Sequence, residues 1–132
     1  MVRTRSAASG TTAEDVATRR LVDAGWRIIG RNIRVGRLEL DIVAVDPRPP
    51  GRLVAVEVRY RRRRDFGTPE ETFDRRKRAR TLAALLTLRS AGRLSDGTPV
   101  PPLMPAVDLI VIEPTPPPST GIRVRHHRDV LA

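Results

Sequence analysis

The sequence predicts a single α/β domain whose elements run α-β-β-β-α-β. Three observations carry this reading. Two segments open with the S/T-x-x-E spacing that caps helices, Thr11 with Glu14 and Thr68 with Glu71. Residues 38–45 and 53–60 are apolar, strand-like runs on either side of a Pro/Gly-rich stretch. The length, 132 residues, suits one domain.

Residues 1–10 read as a flexible tail and 11–132 as the domain. The first helix is expected from Thr11. Ala13, Val16, Ala17, Leu21 and Ala24 recur at helical spacing, and Gly25 fits the position just past a helix end. A short strand follows at 26–30. Residues 38–45 and 53–60 should pair as a hairpin, because Pro47, Pro49, Pro50 and Gly51 cannot extend a ladder. Residues 61–65 are a charged exit. Thr68, Pro69 and Glu71 open a second helix running to about 89, with a basic first half and an apolar second half. A Pro-rich loop at 95–105 leads to a buried strand at 107–112. A last short strand is available at 122–124.

Composition narrows the function. The apolar fraction is 39% but aromatics are only 3%, so the core must be aliphatic. With no cysteine, disulfides, cysteine zinc sites and thiol catalysis are excluded. No apolar run could span a bilayer and the N-terminus has no signal-peptide core, so a cytoplasmic protein without a membrane partner is expected. The net charge of +10 points to a polyanion, since cationic side chains displace condensed counterions from phosphates. Lys77 is the single lysine among 25 basic residues. A GC-rich genome explains that choice of arginine but not the charge itself.

The chemistry is concentrated on the hairpin. Side chains alternate along a strand, so Glu39, Asp41, Val43 and Val45 should share a face, as should Leu53, Ala55, Glu57 and Arg59. Folding about Pro49 places Asp41 opposite Glu57, Glu39 opposite Arg59 and Val43 opposite Ala55. Opposed carboxylates repel unless a cation lies between them, and a divalent metal such as Mg²⁺ satisfies that need. The same residues also fit a Glu39–Arg59 ion pair with Asp41 and Glu57 solvated, and spacing does not choose between the two. Glu14, by spacing alone, is a capping acid. Arg61, Arg62, Arg63 and Arg64, with Arg75, Arg76, Lys77 and Arg78, flank the acidic pair and read as a phosphate-binding rim. His126 and His127 are adjacent on a strand, face opposite ways, and should not share a metal.

In order and spacing these residues resemble the YraN family of bacterial proteins. The resemblance covers about 10–128 and rests on Ala13-Glu14-Asp15-Val16-Ala17, Arg31-Asn32, Leu38-Glu39-Leu40-Asp41-Ile42-Val43-Ala44, Val56-Glu57-Val58-Arg59, Phe66-Gly67, Lys77 and Val107-Asp108-Leu109-Ile110. It implies a restriction-endonuclease-like core, with a mixed central sheet flanked by helices, similar to archaeal Holliday-junction resolvases. It further implies an Mg²⁺- or Mn²⁺-dependent endonuclease acting on DNA rather than RNA, branched or otherwise structured. Asp41, Glu57 and the Val58 carbonyl would hold the metal. Glu14 would bind a second ion or order water, and Glu39 would tune the site. Arg59 stands where such enzymes carry lysine; it can stabilise charge on phosphorus but cannot shuttle a proton. Ala13 and Leu38 replace family glycines. A non-catalytic nucleic-acid-binding or assembly protein on the same fold, with Arg59 paired to Glu39 or Glu57, is the alternative. Related resolvases act as homodimers, but nothing in this sequence marks a seam.

Overall fold

A computed structural model describes residues 5–62 and 67–131, with side chains described from Thr12 onward. The chain forms α1 (Arg5–Asp23), β1 (Arg27–Val35), β2 (Leu38–Val45), β3 (Arg52–Tyr60), α2 (Pro69–Thr72), α3 (Arg75–Ala91), β4 (Met104–Pro114) and β5 (Ile122–His127). The strands make one sheet in the order β1-β2-β3-β4-β5. Only β3 and β4 are parallel, joined by the crossover through α2 and α3. This is the expected mixed sheet flanked by helices.

Each face of the sheet has its own aliphatic layer. Ala13, Ala17 and Leu21 recur four residues apart on α1 and are buried against Ile42, Ala44, Val54 and Val56. On the other face Ala84, Leu85 and Leu88 of α3 cover Leu40, Val43, Leu53 and Ala55. β4 lies between β3 and β5 with both faces covered, so residues 106–113 are buried without interruption. Its apolar run, broken only by the buried Asp108 before Glu113, suits an interior strand.

The hairpin register follows the expectation. Val43 pairs with Ala55, flanked by Ile42↔Val56, Ala44↔Val54 and Val45↔Leu53. β1 is longer than its short sequence signal. Val35 pairs with Leu38 across a two-residue turn in which Gly36 takes φ 60°, a left-handed value that favours glycine.

Two helix boundaries differ from the sequence reading. α1 begins at Arg5, so Thr11 lies within it and does not cap it. The second helix is interrupted. Thr68 and Glu71 do form a reciprocal capping box with Pro69 in the first turn, but α2 stops at Thr72. Phe73 leaves helical geometry (φ −86°, ψ 68°) and its ring is fully buried with Val107, Leu109 and Val111. Asp74 then caps α3 by accepting from the Lys77 amide at 3.0 Å. The chain breaks its helix because a straight one could not both seat this ring and lay α3 on the sheet.

Arg78 closes the break. Its guanidinium donates to the carbonyls of Phe73 (2.6 Å), Val130 (3.0 Å) and Glu70 (3.2 Å), tying α2, α3 and the C-terminal segment together. Hydrogen bonds from a charged donor contribute roughly 1.5–3 kcal/mol each, with losses that are not additive. Arg78→Ala should therefore lower unfolding free energy by about 2–3 kcal/mol in urea titration. A loss below about 0.5 kcal/mol would mean that the break between α2 and α3 holds without these three bonds.

Candidate metal centre

Three acids far apart in sequence converge near one end of β2 and β3. Asp41 and Glu57 come from the hairpin, and Glu14 from the buried face of α1 between Ala13 and Ala17. The β2–β3 ladder stops at Ile42↔Val56, and beyond it the Asp41 side chain replaces a backbone partner. Its Oδ2 accepts from the Val58 amide at 2.9 Å. In a strand the N–H and C=O of one residue point the same way, so the Val58 carbonyl also faces this gap.

The strict alternation expected along β2 breaks here. Leu40 and Val43 pack on the α3 side of the sheet and Ile42 on the α1 side. Opposite Asp41, between Arg31↔Ile42 and Ile33↔Leu40, Asn32 sits at φ 52°. Asparagine tolerates that left-handed backbone better than most residues. The kinked pair of strands turns Asp41 toward Val58 rather than leaving it on the face shared with Val43.

Burial is the largest influence on Asp41 and raises its carboxyl to about 8. The charge of Glu57, that of Glu14 and a side-chain hydrogen bond with Glu57 act in the same direction, against the Val58 amide. Near neutrality the Asp41–Glu57 pair therefore retains a proton. Arg59 Nε donates to Glu57 Oε2 at 2.7 Å, and the guanidinium lies 5.5 Å from the centre of the Phe73 ring. Arg31 reaches Glu14 Oε1 at 3.6 Å and Asp15 Oδ1 at 2.8 Å. It is the cation of this site that composition and strand pairing did not single out, although Arg31-Asn32 is among the residues that carry the resemblance.

One placement differs from the sequence reading, and one of its two alternatives for Arg59 is met. Glu39 lies across from Arg34 in β1, exposed, and not across from Arg59. Arg59 pairs within its own strand, with Glu57. Among the described residues no three His, Cys, Asp or Glu side chains form a ready metal cage. What remains is two carboxylates and a carbonyl. That set fits Mg²⁺ or Mn²⁺, which take one or two carboxylates and complete their shell with water and phosphate oxygens.

The basic residues fall into two populations. Arg48, Arg52, Arg123, Arg125 and Arg128 are held by Asp46, Glu70, Asp108, Glu113 and Asp129. Arg34, Arg37, Arg75 and Arg76 are exposed and make no salt bridge among the described residues. Arg34 and Arg37 sit at the β1–β2 turn. Arg75, Arg76 and Lys77 occupy the first turn of α3, which holds no acid. Cations there oppose the helix dipole, an unfavourable placement that an anionic partner would reverse. Arg61 and Arg62 border a cavity of about 210 Å³ with Glu113 and Pro114. Arg63 and Arg64 lie outside the described residues.

A mixed α/β sheet with paired carboxylates where two neighbouring strands diverge defines the class: an α/β protein with an acidic centre and a cationic surround. The model of "Uncharacterised protein family UPF0102" matches residues 13–112, and the chain belongs to that family. It is 41% identical over 107 residues to a UPF0102 protein of Symbiobacterium thermophilum, covering 81% of this chain and 83% of that one. It is 45% identical over 80 residues to a UPF0102 protein of Nocardia farcinica, covering 59% and 61%. A third, of Moorella thermoacetica, is 44% identical over 71 residues, covering 54% and 57%. No helix among the described residues is long and apolar enough to cross a membrane.

Proposed function

We propose that this protein is a metal-dependent phosphodiesterase acting on DNA. The observation that supports it most is the Asp41–Glu57 pair, retaining a proton beside the Val58 backbone and bordered by Arg59. Asp41, Glu57 and the Val58 carbonyl would hold Mg²⁺ or Mn²⁺, with Glu14 ordering water or a second ion. A bound divalent cation supplies Lewis-acid polarisation of the phosphate and a more acidic water. Asp41 gives up its proton before it can serve as a ligand, so occupancy should rise with pH toward 8. Arg59 remains charged and offsets negative charge developing on phosphorus. Arg75, Arg76 and Lys77 would grip the backbone, joined by Arg61, Arg62, Arg63 and Arg64, which follow β3 in sequence.

The test is cleavage of branched, single-stranded and duplex DNA with Mg²⁺ or Mn²⁺. The Asp41→Ala/Glu57→Ala double variant should lose activity by at least a thousandfold, as a loss of about 4 kcal/mol in transition-state stabilisation would give. Equal activity in that variant would reject the assignment. The 2.7 Å Arg59–Glu57 bond favours a second reading, a non-catalytic nucleic-acid-binding protein in which the pair is structural. That reading gives salt-sensitive binding, no cleavage with either metal, and binding indifferent to Asp41.

A further inference from the structure

The surface beside the β1–β2 turn holds a groove of about 500 Å³ between that turn and α3. Val35, Leu38, Ala83 and Ala84 make an apolar floor, and Arg37 and Arg80 stand on opposite rims. Neither arginine makes a salt bridge among the described residues, although Arg80 helps hold Asp74 ionised at the head of α3. Gly36 bears no side chain, and a Cβ added there would meet nothing within 4 Å, so this end of the groove is open.

The combination selects among polyanions. A duplex presents phosphates and keeps its base faces stacked, so an apolar floor offers it little. An unpaired strand offers both a phosphate line for the two guanidinium rims and exposed base faces whose apolar area the aliphatic floor between them can cover. Leu38 precedes Asp41 by three residues along β2, about 10 Å at strand rise. A strand leaving this groove would reach the acids within a few nucleotides. We infer that the groove between the β1–β2 turn and α3 binds a single-stranded nucleic-acid segment next to the acidic centre. This rests on the proposed function for its substrate class, but it concerns binding and needs no cleavage.

Ala83 is exposed on α3, so substitutions there leave the core intact. Binding is read by fluorescence anisotropy in EDTA, using a labelled single-stranded DNA, the matching duplex and a forked DNA. Ala83→Glu should weaken single-strand and fork binding about tenfold or more, a change of about 1.4 kcal/mol, and leave duplex binding within twofold. The neutral Ala83→Gln, which crowds the floor without adding charge, should follow it in direction. Equal loss for duplex and single strand, no loss for either, or loss with glutamate but not glutamine would overturn the inference. So would a wild-type dimer that Ala83→Glu converts to monomer in sedimentation, because the groove would then seat a second copy. Strand binding that depends on Ala83 in a protein that cleaves nothing would sink the hydrolytic reading alone. Metal-dependent cleavage lost in Asp41→Ala, with strand binding indifferent to Ala83, would sink only the groove.

Discussion

Asp41→Asn should make the metal-free protein more stable at pH 7 while removing the response to Mg²⁺ or Mn²⁺ that the proposed function calls for. The sign follows from proton binding. An unfolded aspartate gives up its proton near 3.8, whereas the folded Asp41 holds it until about 8. Between those values the native state binds more protons than the unfolded chain, so this group's contribution falls as pH rises. Below about pH 4 both states are protonated and the penalty vanishes. At pH 7 it amounts to a few kcal/mol, at 1.36 kcal/mol per pH unit. Asparagine keeps the shape and an acceptor for the Val58 amide but carries no charge. The variant should gain on the order of 2 kcal/mol at pH 7 and nothing at pH 4. Urea titrations across that range would show a flatter pH profile than wild type. Parallel profiles would mean that Asp41 is not the strained acid, and a thermal shift with Mn²⁺ that persists in the variant would remove it from the metal set.

The second large effect lies away from the acids, at Asp108. This carboxylate is buried in β4 and accepts from the Asp129 amide at 2.9 Å. His126 Nε2 lies 2.8 Å from it and Arg128 Nε 3.3 Å. Arg128 also binds buried Asp46 and stands over the Trp26 ring. Asp108 thus anchors β5 and the turn after it, where Asp129 takes φ 52° and the Val130 amide donates back to Val107. Removing one member of a buried charge network leaves the others without their partner, at roughly 3–5 kcal/mol. Asp108→Ala should lose about that much in chemical denaturation, a large share of a small domain's 5–15 kcal/mol. Asp108→Asn, which retains an acceptor, should lose less. A loss below about 1 kcal/mol for alanine would mean that Arg128 and Asp46 hold the segment unaided.

Much of the fold was legible because its signals are local. Alternation and apolar runs mark β2, β3 and β4. Pro47 to Gly51 mark the turn, and the symmetry about Pro49 carries the register that aligns Val43 with Ala55. Thr68, Pro69 and Glu71 mark the start of α2. The carboxylates of the candidate site were legible as residue types at strand positions, and the net charge of +10 as an excess of exposed cations.

The remainder depended on residues distant in sequence. The break at Phe73 was hidden because helical periodicity runs on through it; only the space beneath β4 draws the ring out of the helix. Arg78 looks like one more cation in a basic run, yet it is occupied by a carbonyl 52 positions away. Glu14 carries the spacing of a capping acid, but burial against the sheet brings it near Asp41. By itself the sequence determined the strands, the hairpin register and the sign of the charge, because backbone periodicity and turn chemistry act between near neighbours. Only the tertiary structure decided which arginines are neutralised and where Asp41's proton is held, because Coulomb interactions and desolvation depend on distance and burial in space.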